Sequence, residues 1–312
     1  LLCGRRSACA PAALRSNGAE PTRRTAKVHE YRLHLGASMA WDLSVDLIKA
    51  TVQLEQPLGD GTRTVGTGFL IEAPTPDGRS RTVLVTAAHV LDRMPALQAR
   101  IGYRVQGGDG AWRYDPQPLS IRDDAKAPKW TRHPSRDIAA IVIQAPDEFA
   151  RAAIPLSWLA QDETFTRYGL GPGDEMMALG FPRGLSANQA GFPILRSGRV
   201  ASYPLAPSSV FPTFLLDFSV FPGNSGGPVF MADGARRRPG AAETQEVQFV
   251  AGILTQQVEL SGERLEIGIV THARFVRETV ALIDGVTPPP AAPDEPSLTS
   301  STAASVGIHA EP

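Results

Sequence analysis

The feature that most constrains the fold is an alternation of short apolar stretches with turns rich in glycine and proline, between about residues 45 and 285. Short β-branched or alternating apolar stretches are typical of strands, and a Pro/Asp/Gly cluster such as PTPDGRS (74–80) is typical of a turn. Roughly a dozen such strands predict an all-β sandwich or barrel architecture. The predicted strands are LIKATVQLE, GTGFLIE, RTVLVTAA, ARIGYRV, IAAIVI, EMMALGF, ILRSGRVAS, TFLLDFSV, GPVFM, QFVAGILTQQ and LEIGIVT.

Three regions depart from this strand pattern. In ARFVRETVALID, Val276, Val280 and Ile283 fall on one helical face, which predicts a helix docked on the β body. Residues 1–38 show no sustained period, and the first methionine is Met39. We therefore expect Met39 to be the natural start and the residues before it to come from a misassigned start codon. The Pro/Ser/Ala-rich stretch after about residue 285 has too little apolar content to pack and is expected to be disordered.

Composition argues against several functions. The formal net charge of −1 gives no overall field that would attract nucleic acid or an anionic membrane. The interior basic run Arg236–Arg238 lies in a Gly/Pro/Ala-rich stretch, and we interpret it as a solvated loop. Because Cys3 and Cys9 are the only cysteines, no thiolate in the patterned region can act as a nucleophile or metal ligand. No apolar run is long enough for a helix that spans a membrane.

Three short segments carry residues suited to acyl transfer. His89 follows a strand in VLVTAAHVL, where small neighbours leave room for a substrate, although a lone histidine is more often structural. Asp137 directly precedes the strand IAAIVI, and two interpretations are open. Either its carboxylate is carried inward towards a partner such as a histidine N–H, or Asp137 is an ordinary turn residue at the start of a strand. Ser225 in FPGNSGGPVF lies among glycines that can aim backbone N–H groups at an oxyanion, or that can form an ordinary turn.

Together, the three segments are far more specific than any one of them. The order His89, Asp137, Ser225 on an all-β pattern is the chymotrypsin order. The blocks TAAHVL, RDIAAI and GNSGGPVF resemble the catalytic blocks of trypsin-like serine peptidases. The bacterial HtrA-type branch is the most similar, because of GTGFLIE, MALGFPRG, ILRSGRVAS and an Asp217 placed eight residues before the serine in LLDFSVFPGNSGG. This resemblance spans about residues 45–285.

The resemblance implies two antiparallel six-stranded β-barrels, a C-terminal helix and a site in the cleft between the barrels. It implies that Ser225 is the nucleophile, that His89 is the general base and then the acid, and that Asp137 orients His89. The N–H groups of Gly223 and Ser225 would form the oxyanion hole. A protein or peptide substrate would be hydrolysed through an acyl-enzyme with no metal or cofactor, and the oligomeric state stays open.

Composition and the resemblance together divide the chain into four parts. Residues 1–40 are expected to be a disordered or non-native extension, and residues 41–160 the first barrel. Residues 161–286 would form the second barrel and the C-terminal helix, and residues 287–312 a disordered Pro/Ser-rich tail. Because no signal peptide is evident, a cytoplasmic location is expected, with export as the alternative if the true N terminus differs.

The sequence departs from the family pattern in ways that bear on regulation and specificity. Asn224 stands where digestive trypsins have the aspartate that pairs with a newly cut N terminus, so activation by such cleavage is not expected. No PDZ-like segment follows the catalytic region, so regulation through a PDZ domain is not expected either. The resemblance places the walls of the specificity pocket near residues 252–257 and 266–270. No acidic residue stands out at the base of this pocket, apart from Glu266 at its possible edge, which favours small or apolar substrate side chains over Lys or Arg.

Two other functions compete with the peptidase interpretation. G-x-S-x-G also matches the nucleophile elbow of α/β-hydrolases, with His272 as the late histidine of an esterase. However, Pro228 and the short strand VFM stand where the helix of the elbow should begin. The second alternative is a catalytically silent trypsin-like module that binds peptides or acts as a sensor, although the presence of all three triad residues argues against it.

Overall fold

The computed structural model describes residues 42–237, 242–260 and 263–287. The expectations for residues 1–40 and for the tail beyond residue 287 lie outside this part of the chain, as do both cysteines. The helices are α1 (Asp42–Ala50), α2 (Ala88–Asp92), α3 (Asp147–Ala152), α4 (Asp162–Tyr168) and α5 (Ala273–Leu282), and short 3₁₀ turns occur at Leu156–Trp158 and Pro182–Gly184.

The first half of the described chain forms an eight-stranded sheet. Its hydrogen-bonded order is β5-β4-β1-β2-β3-β7-β6, and β8 pairs with β2 in parallel through Ile71 and Ile154. Every pair along that path is antiparallel. The strands are β1 (Thr51–Pro57), β2 (Arg63–Pro74), β3 (Ser80–Thr86), β4 (Gln98–Gln106), β5 (Trp112–Ser120), β6 (Thr131–Arg132), β7 (Ala139–Ile143) and β8 (Ile154–Pro155).

The second half forms a closed six-stranded antiparallel barrel in the order β10-β11-β14-β13-β12-β9. Closure pairs the edges of the sheet with each other, so its backbone groups hydrogen-bond within the protein. The strands are β9 (Glu175–Gly180), β10 (Ile194–Val200), β11 (Thr213–Asp217), β12 (Pro228–Arg237), β13 (Thr244–Leu260) and β14 (Glu263–His272).

The predicted fold class is confirmed: the protein is an all-β molecule of two sheets, antiparallel except for the short β8, with a C-terminal helix. The second barrel has the six predicted strands, and the first sheet adds the two-residue strands β6 and β8 to six longer ones. Helix α5 buries Val276 and Val280, as its apolar face predicts, and Ile283 packs against the core just beyond it. The division into domains at residue 160 stays a prediction.

Two local interpretations were wrong. LIKATVQLE is not one strand, because α1 continues to Ala50 and buries Leu43 and Leu47 on the face that packs inward. Arg236 is not a solvated loop residue. It lies in β12, and its guanidinium bonds both carboxylate oxygens of Asp174, at 2.9 and 2.7 Å.

Buried apolar side chains from both sheets and from α5 form one continuous cluster. The two sheets also meet through the backbone, since the N–H of Thr67 in β2 donates to the carbonyl of Ser225 at 2.9 Å. This contact places the loop before β12 against the first sheet. Within the described ranges, none of the helices is long and apolar enough to cross a membrane.

Candidate active site

His89 and Asp137 are brought together by the pairing of β3 with β7. Thr86, the last residue of β3, lies opposite Ala139 at the start of β7, so the residues just outside these strand ends are neighbours. His89 lies in the first turn of α2, directly after β3, and Asp137 lies just before β7. The Nδ1 atom of His89 is 2.5 Å from Oδ2 of Asp137, and the backbone N–H of His89 donates to Oδ1 at 2.9 Å.

This contact orients the imidazole ring. An ionised carboxylate only accepts hydrogen bonds, so the shared proton belongs on Nδ1 of His89 and leaves Nε2 available as an acceptor. Burial would raise the pKa of Asp137, but the hydrogen bonds and the charge of His89 outweigh it and hold that pKa below its usual value. The carboxylate of Asp137 therefore stays ionised near neutral pH. Both side chains keep about a quarter of their surface exposed, at 23% each.

Ser225 lies in a tight loop that two glycines make possible. Gly223 has a φ of +97° and Gly226 a φ of +91°, in the left-handed region where other residues are strained. A Cβ atom on Gly226 would lie 2.0 Å from the carbonyl oxygen of Thr67, so the close approach of the two sheets also requires glycine there. Oγ of Ser225 makes a long hydrogen bond of 3.4 Å to the carbonyl oxygen of Thr255 in β13.

The N–H groups of Gly223 and Ser225 have no acceptor within the described ranges, whereas those of Asn224, Gly226 and Gly227 each have one. The orientation of the Gly223 N–H follows from its neighbour: the carbonyl of Pro222 accepts a hydrogen bond from the backbone N–H of Arg183 at 2.6 Å. In a trans peptide the N–H points away from the carbonyl, so this bond directs the Gly223 N–H to the other side of the loop.

Thr67 holds the loop from the first sheet. Its hydroxyl donates to the carbonyl oxygen of Gly223 at 2.6 Å and accepts from the N–H of Phe181 at 3.1 Å. Sequence reasoning missed Thr67 and Arg183, and it placed Thr255 near the specificity pocket without foreseeing its contact with Ser225. Thr67 lies within the quoted GTGFLIE segment, but nothing in that segment shows that its hydroxyl reaches residue 223.

One cavity of about 800 Å³ brings the predicted catalytic residues together. His89, Asp137 and Ser225 all lie on its wall, and of the predicted specificity segments Thr255 does so too. Asp217 and Glu266 are exposed and lie outside the lining. The remaining lining residues are Arg93, Arg132, His133, Pro134, Ser135, Arg136, Val220, Phe221 and Pro222.

The esterase alternative fails on two observations. Strand β12 begins at Pro228, so no helix follows the serine as an α/β-hydrolase elbow requires. His272 is 1% exposed and packs between the rings of Phe165 and Phe214 inside the second barrel, away from the cavity beside Ser225. No group of His, Cys, Asp and Glu side chains suited to a metal ion occurs within the described ranges.

Two antiparallel β-sheets with a histidine, a carboxylate and a serine around one cavity define the class of chymotrypsin-like serine peptidases. A model of the trypsin-like peptidase domain family matches residues 66–235, which is more than half of the chain and includes all three side chains. The chain belongs to this family.

Several solved structures are similar to the chain. The HtrA-type protease AlgW, solved with a decapeptide, is 17% identical over 79% of this chain and 68% of its own, with a TM-score of 0.46. The Rv3671c protease from M. tuberculosis, in its active form, is 19% identical over 89% of this chain and 97% of its own, also with a TM-score of 0.46. The protease Anisep from Arthrobacter nicotinovorans is 15% identical over 72% and 90%, with a TM-score of 0.40. No curated protein sequence matches the chain significantly.

Proposed function

We propose that the protein is a serine endopeptidase that hydrolyses peptide bonds through an acyl-enzyme, with Ser225, His89 and Asp137 as its catalytic residues. The observation that carries this proposal is the His89–Asp137 contact of 2.5 Å on the wall of the same cavity as Ser225. It provides an oriented base on the wall of the cavity that also holds a serine hydroxyl group, and nucleophilic catalysis by serine needs both groups.

In the acylation step, Nε2 of His89 takes the proton of the Ser225 hydroxyl as Oγ attacks the substrate carbonyl carbon. Oγ must first leave the carbonyl of Thr255, and its 3.4 Å hydrogen bond is long enough to make that change inexpensive. The protonated His89 then gives its proton to the amine as the C–N bond breaks. The acyl group remains on Ser225 as an ester.

In the deacylation step, a water molecule takes the place of the amine. His89 removes a proton from this water, the resulting hydroxide attacks the ester carbonyl, and the proton then passes to Oγ of Ser225 as the acid product leaves. In both steps the developing oxyanion would accept hydrogen bonds from the N–H groups of Gly223 and Ser225, whose lack of an internal acceptor in the described ranges supports this role.

Asp137 contributes in two ways. Its carboxylate keeps the Nδ1–H tautomer of His89, and its negative charge stabilises the imidazolium that forms during each proton transfer. The lowered pKa of Asp137 supports this role, because a carboxylate that protonated near neutrality would lose both effects.

The proposal is tested with a fluorescence-quenched peptide library and three forms of the protein. Wild type should cleave library peptides, and Ser225→Ala should lower turnover by a factor on the order of 10⁶. The matched control is Ser157→Ala, which removes an exposed hydroxyl in the 3₁₀ turn Leu156–Trp158 and should cleave like wild type. Unchanged cleavage by purified Ser225→Ala would refute the assignment, and a folded wild type that binds but never cleaves peptides would favour the silent module.

A further inference from the structure

The cavity beside Ser225 carries an excess of positive charge. Its lining includes Arg93, Arg132 and Arg136, and the one carboxylate in that lining is Asp137. The Asp137 carboxylate is already bonded through both of its oxygens to His89. Since the whole chain has a formal net charge of −1, the excess is a local property of the cleft.

Arg93 is the most available of these cations. It directly follows α2, the helix that carries His89, and its backbone N–H donates to the carbonyl of His89 at 3.2 Å, which fixes its backbone beside the base. Arg93 is exposed, and its guanidinium makes no hydrogen bond or ion pair with any residue of the described ranges. Arg132, by contrast, already pairs with Asp92.

The second barrel adds further positive charge next to the same cavity. Phe221 lines the cavity, and two guanidinium groups lie over its ring. The Cζ atom of Arg183 is 5.5 Å from the ring centroid and that of Arg196 is 5.4 Å from it. Neither arginine forms an ion pair with a carboxylate in the part of the chain that the structure describes. The second barrel therefore adds positive charge around a residue of the cavity wall, although neither arginine is part of the lining.

We propose that the cleft selects peptide segments with Asp or Glu within two residues of the scissile bond, and that Arg93 is a specificity-determining residue. This inference rests on the proposed peptidase function and names its substrate class. A guanidinium keeps its charge at any working pH and binds a carboxylate through two parallel hydrogen bonds, so an acidic side chain finds a partner at Arg93. A Lys or Arg in the same position would meet like charge instead.

The test compares two fluorescence-quenched Ala/Val peptides that carry either Glu or Gln on both sides of a central Val-Ala bond. Glu and Gln have nearly the same shape, so the ratio of their kcat/KM values isolates charge. Wild type should prefer the Glu peptide by about two- to fivefold for each arginine engaged, the range of an exposed ion pair. The ratio should fall towards one as salt rises to about 1 M, where the screening length is about 3 Å.

Variants of Arg93 assign the preference to one side chain. Arg93→Gln should lower the Glu/Gln ratio by about two- to fivefold, and Arg93→Lys should retain most of it. The matched control is Arg79→Gln, which removes the same charge from an exposed side chain at the other end of β3 from His89, and it should keep the wild-type ratio. Equal cleavage of both peptides by wild type, or an unchanged ratio in Arg93→Gln, would overturn the inference.

A binding measurement separates this inference from the peptidase proposal. Fluorescein-labelled versions of the two peptides are titrated with Ser225→Ala, which keeps the cleft but cannot acylate. Tighter binding of the Glu peptide, reduced by the additional Arg93→Gln change, supports the inference even if wild type cleaves neither peptide and the peptidase proposal fails. Equal affinities for the two peptides overturn it even if wild type proves to be a peptidase.

Discussion

Thr67→Val tests how the first sheet holds the loop that carries Ser225. Thr67 is fully buried in β2, and its hydroxyl bonds the carbonyl of Gly223 at 2.6 Å and the N–H of Phe181 at 3.1 Å. Valine has nearly the same shape but no hydroxyl, so both partners lose their hydrogen bond while the packing stays. The variant therefore perturbs the loop without opening a cavity.

The structure sets the size of the expected effects. A buried polar group left without a partner costs about 1–3 kcal/mol, so the two groups should lower the free energy of unfolding by about 2–6 kcal/mol. The carbonyl of Gly223 also loses the hydrogen bond that holds this residue in place, so the direction of its N–H can change. Removing an oxyanion donor altogether lowers kcat by about 10²–10³, so a displaced donor should lower kcat by roughly tenfold and leave KM nearly unchanged.

A second buried threonine supplies the control. Thr51 is also fully buried, and its hydroxyl donates to the carbonyl of Leu47 at 2.7 Å, at the junction of α1 and β1 and outside the cavity lining. Thr51→Val should lower the free energy of unfolding and leave kcat unchanged. Urea unfolding and peptide hydrolysis on both variants make the comparison. A folded Thr67→Val with wild-type kcat, or an equal loss of kcat in both variants, would refute the role given to Thr67.

Three further predictions concern charge. Arg104 is 1% exposed and donates to four backbone carbonyls, so Arg104→Met should lower the free energy of unfolding by at least about 3 kcal/mol in urea titrations. Burial lowers the pKa of His272 to about 4, so wild type should lose about 3 kcal/mol of stability as pH falls from about 6.5 to 4, whereas a folded His272→Phe should lack this loss. Asp137→Asn should lower kcat by about 10⁴ because His89 then takes the other tautomer, and near-wild-type turnover of the purified variant would contradict this.

The strands were predictable where side-chain pattern alone determines the structure. GTGFLIE and RTVLVTAA became β2 and β3 because their apolar residues are buried in the pleated sheet. Strand β5 was missed because Pro116 and Pro118 argue against a strand, yet β5 lies at the edge of its sheet, where a missing N–H is tolerated. The start of β1 was misplaced because the helix before it is short. Leu43 and Leu47 have helical spacing, but two such residues do not distinguish a helix from a strand.

The candidate site was predictable in its residues but not in its supports. His89, Asp137 and Ser225 could be proposed from short segments, and the structure places all three on one cavity, although their roles stay a prediction. The contact between Thr67 and Gly223 joins residues 156 positions apart, so no local pattern could indicate it. Arg183 adopts a φ of +52°, which is uncommon for any residue except glycine. Its sequence neighbours do not indicate that its backbone N–H donates to the carbonyl of Pro222.

The central claim is that Ser225 is an activated nucleophile, and covalent labelling tests it most directly. Wild type is treated with a fluorophosphonate, and the modified residue is located by tandem mass spectrometry. The account predicts one phosphonylated residue, Ser225, and strongly reduced labelling in Asp137→Asn, because the orienting carboxylate is then lost. A folded wild type that remains unlabelled, or that is labelled at another serine, would contradict it.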